Sequence, residues 1–141
     1  MSMPSFLDAN VWLALIWERH IHSEQARKWS DAIGNEQMFY CRFTQLTVLR
    51  LLTTEAIMTT DTQTMSGAWN IWDNVCGDAR VVYLPEPADL ELELRSRSSA
   101  TTASPKAWAD AYLLAFAATA GLRLVTFDRA LKTLKGGVLV L

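Results

Sequence analysis

Short apolar runs that alternate with stretches of helical periodicity constrain this chain more than any other feature. The runs occupy residues 5–8, 38–41, 81–84, 124–127 and 138–141. After the polar triplet Asp8-Ala9-Asn10, residues 11–17 read as a first helix. Ala26, Trp29 and Ile33 recur at helical spacing within 22–33, and Gly34 supplies the stop. Thr44 stands where it can cap a helix with Leu46, Leu49, Leu52 and Thr53 on its inner side, and Trp69 and Trp72 mark another over 65–75. Period alone leaves 88–97 open between strand and helix, because Leu90, Leu92 and Leu94 alternate with charged residues; the helix propensity of Glu91, Glu93 and Arg95 favours helix. Ser104 as cap and Pro105 at the first helical position open a helix that ends at Gly121, and 128–134 predicts a short one. Polar 59–64 and small-residue 98–104 read as loops. Strands separated by helices pair in parallel and need cover on both faces. With no internal repeat and no long linker, the expectation is one three-layer α/β/α domain over 1–141, with a mostly parallel sheet of four to five strands.

Composition supports a packed domain and removes several function classes. Half of the 141 residues are hydrophobic and 20% are charged, enough to bury roughly 70% of the unfolded chain's surface. The start lacks the basic and apolar regions of a signal peptide, and no run approaches a membrane span, so a cytoplasmic protein without membrane contact is expected. Cys41 and Cys76 share no CxxC spacing and read as small core hydrophobes. A net charge of −2 argues against a protein that coats nucleic acid. Basic clusters remain around Asp128 (Arg123, Arg129, Lys132, Lys135), at Arg42 with Arg50, and at Arg95 with Arg97; each is equally well read as solvated surface. His20 and His22 read as solvated surface beside a helix start. Neither GxSxG nor a phosphate-cradling glycine motif occurs. Trp12, Trp29, Trp69 and Trp72 fit core packing better than base stacking, while Trp17 and Trp108 are open.

Chemistry concentrates on aspartates. Open α/β sheets bind ligands outside the carboxyl ends of their strands, and Asp8 and Asp128 each follow a strand. Helix capping accounts for either alone. If their strands are neighbours, about 4.8 Å apart, the carboxylates repel unless a proton or cation intervenes. Asp110 has no capping explanation on the helix as read, where it shares a face with Ala107, Leu113, Leu114 and Ala117. A partly buried acid there needs an Arg or a cation. Carboxylates without His or Cys suit a hard ion such as Mg²⁺ or Mn²⁺. Such ions activate water and stabilise phosphodiester attack, so nuclease chemistry follows.

Phe6-Leu7-Asp8-Ala9-Asn10-Val11-Trp12, then Ala107-Trp108-Ala109-Asp110-Ala111-Tyr112-Leu113-Leu114-Ala115, then Leu124-Val125-Thr126-Phe127-Asp128 span the chain in an order that resembles the PIN-domain family. Within it the chain resembles the ribonuclease toxins of VapBC-type toxin–antitoxin modules. The resemblance implies sheet order 3-2-1-4-5, metal-dependent cleavage of RNA (tRNA or rRNA) by activated water, a small cognate antitoxin and a homodimer. On this reading Asp8, Asp110 and Asp128 are catalytic and hold Mg²⁺ or Mn²⁺, Asn10 and Thr126 orient them, and Arg42, Arg129 and Lys132 grip the RNA backbone. The family usually carries a further acid, most often Glu, on the helix after the second strand. Gln45 stands there, with Glu55 too far along to replace it. An amide ligates weakly and carries no charge, so looser metal binding is expected. The alternative is a PIN-like RNA- or protein-binding protein with weak or no turnover. A small-molecule phosphohydrolase is disfavoured because Asn10, not a second acid, follows Asp8 by two residues.

Overall fold

A computed structural model describes residues 3–133 and 137–141. Its sheet comprises β1 (Ser5–Leu7), β2 (Met38–Tyr40), β3 (Val81–Tyr83), β4 (Arg123–Thr126) and β5 (Val138–Val140). The order is β3-β2-β1-β4-β5, every pair parallel, with Phe6 opposite Phe39 on one side and Leu124 on the other. Parallel neighbours require crossovers. These are α1 (Ala9–Ile16), α2 (Ser23–Ala32), α3 (Arg42–Leu52), α4 (Glu55–Met58), α5 (Met65–Cys76), α6 (Leu90–Arg97) and α7 (Ala107–Ala120).

Alternation along each strand sorts the core into two layers. Phe6, Phe39, Val82, Leu124 and Val138 pack with α6 and α7. Their neighbours Leu7, Met38, Val81, Val125 and Leu139 pack with α1, α3 and α5 on the other face. Both faces are therefore covered, as near-continuous apolar strands demand. Phe6 stacks on Phe116 at 4.7 Å with 12° between the rings, and Trp12 meets Trp72 at 5.8 Å and 69°. The chain runs outward from β1 through β2 to β3 and then returns to β4 on the far side of β1. That reversal opens a crevice at the carboxyl ends of β1 and β4.

Several local expectations change. Cys41, not Thr44, caps α3; Thr44 is the third helical residue, and its hydroxyl accepts the Cys41 N–H at 3.0 Å. That earlier start turns Thr44, Gln45, Val48 and Leu52 inward and leaves Leu46 exposed. α7 begins two residues beyond Pro105, after a turn closed by the Ala107 N–H on the Ser104 carbonyl at 3.0 Å. Asp110 thus lies in the first helical turn, where the helix dipole favours a carboxylate. Cys76, Trp69 and Trp108 are exposed, whereas the Trp17 indole donates to Asp61 at 2.7 Å. Arg95 and Arg97 are paired with Glu91 and Glu93 one turn back, which removes the third basic cluster. Short 3-10 turns stand at Thr59–Asp61 and Arg129–Thr133, in place of a loop and a short α-helix; Leu134 and Lys135 lie outside the described residues. No helix among the described residues is long and apolar enough to cross a membrane.

Candidate active site

β1 ends at Leu7, so Asp8 emerges at the carboxyl edge of the sheet as the N-cap of α1. Its main-chain N–H still bonds the Val125 carbonyl at 2.9 Å, which locks the residue to β4. One carboxylate oxygen accepts the Ala9 N–H at 2.7 Å and the other accepts the Thr126 hydroxyl at 3.0 Å. Thr126 is fully buried at the end of β4, and the same hydroxyl oxygen accepts the Asp128 N–H at 3.1 Å. A single hydroxyl therefore joins the ends of β1 and β4. Asp128 caps the turn that follows by accepting the Ala130 N–H at 2.9 Å. Capping and site geometry are not alternatives here: each cap directs a carboxylate to the same edge.

Asp110 comes to this edge from α7, half-buried, without a hydrogen bond or ion pair to any described residue. Burial pushes its carboxyl above the ordinary range, and repulsion from Asp128 adds to this. Asp8 is raised as well, first by burial; the bonds from Thr126 and Ala9 oppose the shift, and repulsion from Asp110 and Asp128 reinforces it. The three carboxylates thus sense one another, and no cation among the described residues offsets either shift. Among the described residues, no three His, Cys, Asp or Glu side chains are gathered tightly enough to form a ready ion cage. An all-oxygen set of this kind still fits Mg²⁺ or Mn²⁺, because Mg²⁺ takes one or two carboxylates and keeps several of its waters.

The other expected residues divide. Asn10 is exposed on α1 and makes no described bond to the carboxylates, so of the two residues expected to orient them only Thr126 bonds one. Gln45 is buried, and its amide oxygen accepts the Arg42 guanidinium. Arg42 in turn lies 5.1 Å from the centre of the Tyr83 ring. Arg129 is exposed next to Asp128, while the Lys132 side chain lies outside the described residues. Arg123 sits at the opposite end of β4, bonding Ser5 at 3.3 Å, and does not belong to the Asp128 cluster.

Two neighbouring features gave no sign in the chain's periodicity. His22 and His20, expected as solvated surface, stack on Phe127 at 4.4 and 6.1 Å, between Thr126 and Asp128. Beyond β2 and β3, Phe43 meets Tyr112 at 5.3 Å, Tyr83 meets Tyr40 at 5.5 Å, and the Tyr112 hydroxyl donates to Glu86 at 2.9 Å. The rule that singled out Asp8 and Asp128, polar groups just after strands, also reaches Arg42 when applied to β2.

The chain resembles known proteins over nearly its whole length. The chain is 38% identical over 136 residues to Ribonuclease VapC41 of Mycobacterium tuberculosis, covering 93% of this chain and 92% of that one. It is 28% identical over 130 residues to Ribonuclease VapC39 of the same organism, covering 92% and 91%. The crystal structure of M. tuberculosis VapC20, described as a sarcin-ricin loop cleaving toxin, superposes with a TM-score of 0.64 at 16% identity, over 92% of this chain and 93% of that one. DNA-bound VapBC from Salmonella typhimurium gives 0.58 at 14%, over 99% and 97%. These structural likenesses concern the fold. The profile described as PIN domain matches residues 5–137, and the chain belongs to the PIN-domain family.

Proposed function

We propose that this protein is a metal-dependent endoribonuclease, the toxin of a type II toxin–antitoxin pair, with Asp8, Asp110 and Asp128 as its metal-holding acids. The carrying observation is the convergence of three carboxylates with no described cation partner, two of them held above the ordinary carboxylate range by burial and mutual repulsion. Relatives named ribonucleases over nine-tenths of the chain support it. A bound Mg²⁺ or Mn²⁺ would supply water of lowered pKa and charge stabilisation at the phosphodiester. The chain's own residues do the positioning. Thr126 holds one oxygen of Asp8 and the backbone of Asp128 together, so the two acids cannot drift independently. Ala9 N–H, at the positive end of α1, favours the ionised form of Asp8 that a cation requires. Arg129, exposed beside Asp128, and Arg42, at the start of α3, are placed to meet RNA phosphates. The partner implied is a small antitoxin, and the assembly a homodimer in the cytoplasm.

One observation favours a second reading, a weakly active or inactive binder of RNA or protein: the usual fourth acid is Gln45, and its oxygen is taken by Arg42. The experiment that separates them uses the parent and Asp8→Asn with total RNA and with Mn²⁺ alone. Cleavage and Mn²⁺ binding by calorimetry, both lost in Asp8→Asn with folding intact, support the nuclease. RNA binding without Mn²⁺ binding or cleavage favours the second reading.

A further inference from the structure

Beside the aspartate crevice, the carboxyl edge of β2 and β3 carries a surface that neither core packing nor the acid site uses. Phe43 and Tyr83 are 38% and 40% exposed, although aromatic rings next to a sheet ordinarily turn inward. Both are held in place. Phe43 meets Tyr112 at 65° and Tyr83 meets Tyr40 at 61°, so each ring is fixed by an edge contact and presents its remaining surface to solvent. Arg42 immediately precedes Phe43 in the chain, and its guanidinium lies 5.1 Å from the Tyr83 centroid. Its hydrogen-bond acceptor is the Gln45 amide, which orients the guanidinium without cancelling its charge. No described carboxylate pairs with it.

We infer that Arg42, Phe43 and Tyr83 form a subsite for single-stranded RNA, in which an unpaired base stacks on the Tyr83–Arg42 or Phe43 surface and its phosphate meets the guanidinium. The inference deepens the ribonuclease reading and rests on it. Unstacked bases are recognised by aromatic rings and guanidinium planes, and each phosphate adds a charge for an unpaired Arg. Position agrees: β2 lies directly beside β1, so a strand whose scissile phosphate reaches Asp8 runs onto this edge within about one or two strand spacings, ~4.8 Å each. Gln45 then acquires a purpose other than ligation. A Glu at that position would pair with Arg42 and withdraw the charge that a phosphate needs.

The test uses the intact chain carrying Asp8→Asn to stop cleavage, with a short labelled single-stranded RNA and the same backbone made abasic throughout, both read by fluorescence anisotropy. Tyr83→Ala and Phe43→Ala should each weaken binding of the intact RNA about fivefold or more and leave the abasic strand unaffected. Tyr83→Phe, which keeps the ring, should recover most of the affinity. Arg42→Gln should weaken both strands and flatten the salt dependence by about 0.7 in log–log slope. Equal losses on both strands for Tyr83→Ala, or no loss on either, overturn the subsite while leaving the nuclease intact. An affinity loss confined to a protein partner overturns it in favour of a protein interface. If the parent chain neither cleaves nor binds any RNA, the ribonuclease reading falls and the subsite with it.

Discussion

Thr126 offers the sharpest test of the site, because one buried hydroxyl makes both of the bonds that join β1 to the Asp128 turn. Thr126→Val keeps the β-branched shape and removes that oxygen. A hydrogen bond to a carboxylate contributes about 1.5–3 kcal/mol, and leaving an N–H without its acceptor costs about 1–3 kcal/mol when water cannot replace it. Asp128 is exposed, so water offsets much of the second loss. The net destabilisation should be about 2–3 kcal/mol, read as a fall in the urea midpoint at unchanged slope. Near this chain length each kcal/mol moves the thermal midpoint by roughly 3–4 °C, so Tm should drop by about 6–12 °C. Catalytically the consequence has a sign. The Thr126 bond lowers the Asp8 carboxyl against the effect of burial, so its loss leaves Asp8 still higher and moves the acid limb of the cleavage profile to higher pH. Thr126→Ser keeps the hydroxyl and gives up one buried methyl, about 1 kcal/mol, and its acid limb should stay in place. A Val variant as stable and as active as the parent, with an unmoved acid limb, would refute the account of Thr126 as the joint of the site.

Asp110 has a folded carboxyl raised above its unfolded value, so the native chain holds more protons than the unfolded one in that window. The site's contribution to stability therefore falls as pH rises from the ordinary carboxylate range through the raised value. In chelator, Asp110→Asn should flatten this decline in calorimetric scans and abolish cleavage; an unchanged pH slope would show that the carboxyl is not under strain. Saturating Mn²⁺ should raise the thermal midpoint of the parent by mass action and leave Asp110→Asn and Asp8→Asn unmoved, and an equal rise in all three would place the ion elsewhere. Gln45→Glu should pair with Arg42 and leave Mn²⁺ affinity by calorimetry little changed, whereas a clear gain would show that position 45 turns toward the aspartates. Phe116→Ala should cost about 3–5 kcal/mol in urea unfolding by removing the ring stacked on Phe6 beneath the site; a loss under about 1 kcal/mol would mean that the layer under α7 repacks.

Residue order alone decided the layers of this fold. Apolar runs too short for anything but strands, each followed by helical periodicity, leave a parallel sheet covered on both faces as the consistent arrangement, and they place Asp8 and Asp128 at strand ends. These are local facts, legible within a few residues. The start of α3 was not, because Thr44 is not the N-cap: as the third helical residue its hydroxyl accepts the Cys41 N–H in a capping box, and the helix face rotates to put Leu46 outside and Gln45 inside. Nor was the position of Asp110 within its helix, since the late start of α7 brings it into the first turn. Only the tertiary structure could couple Thr126 to Asp8 across 118 residues, turn Gln45 to Arg42, or lay His22 on Phe127. Periodicity assigns a side chain to a face; which groups meet across that face depends on strand neighbours and helix rotation, which packing of the whole chain sets.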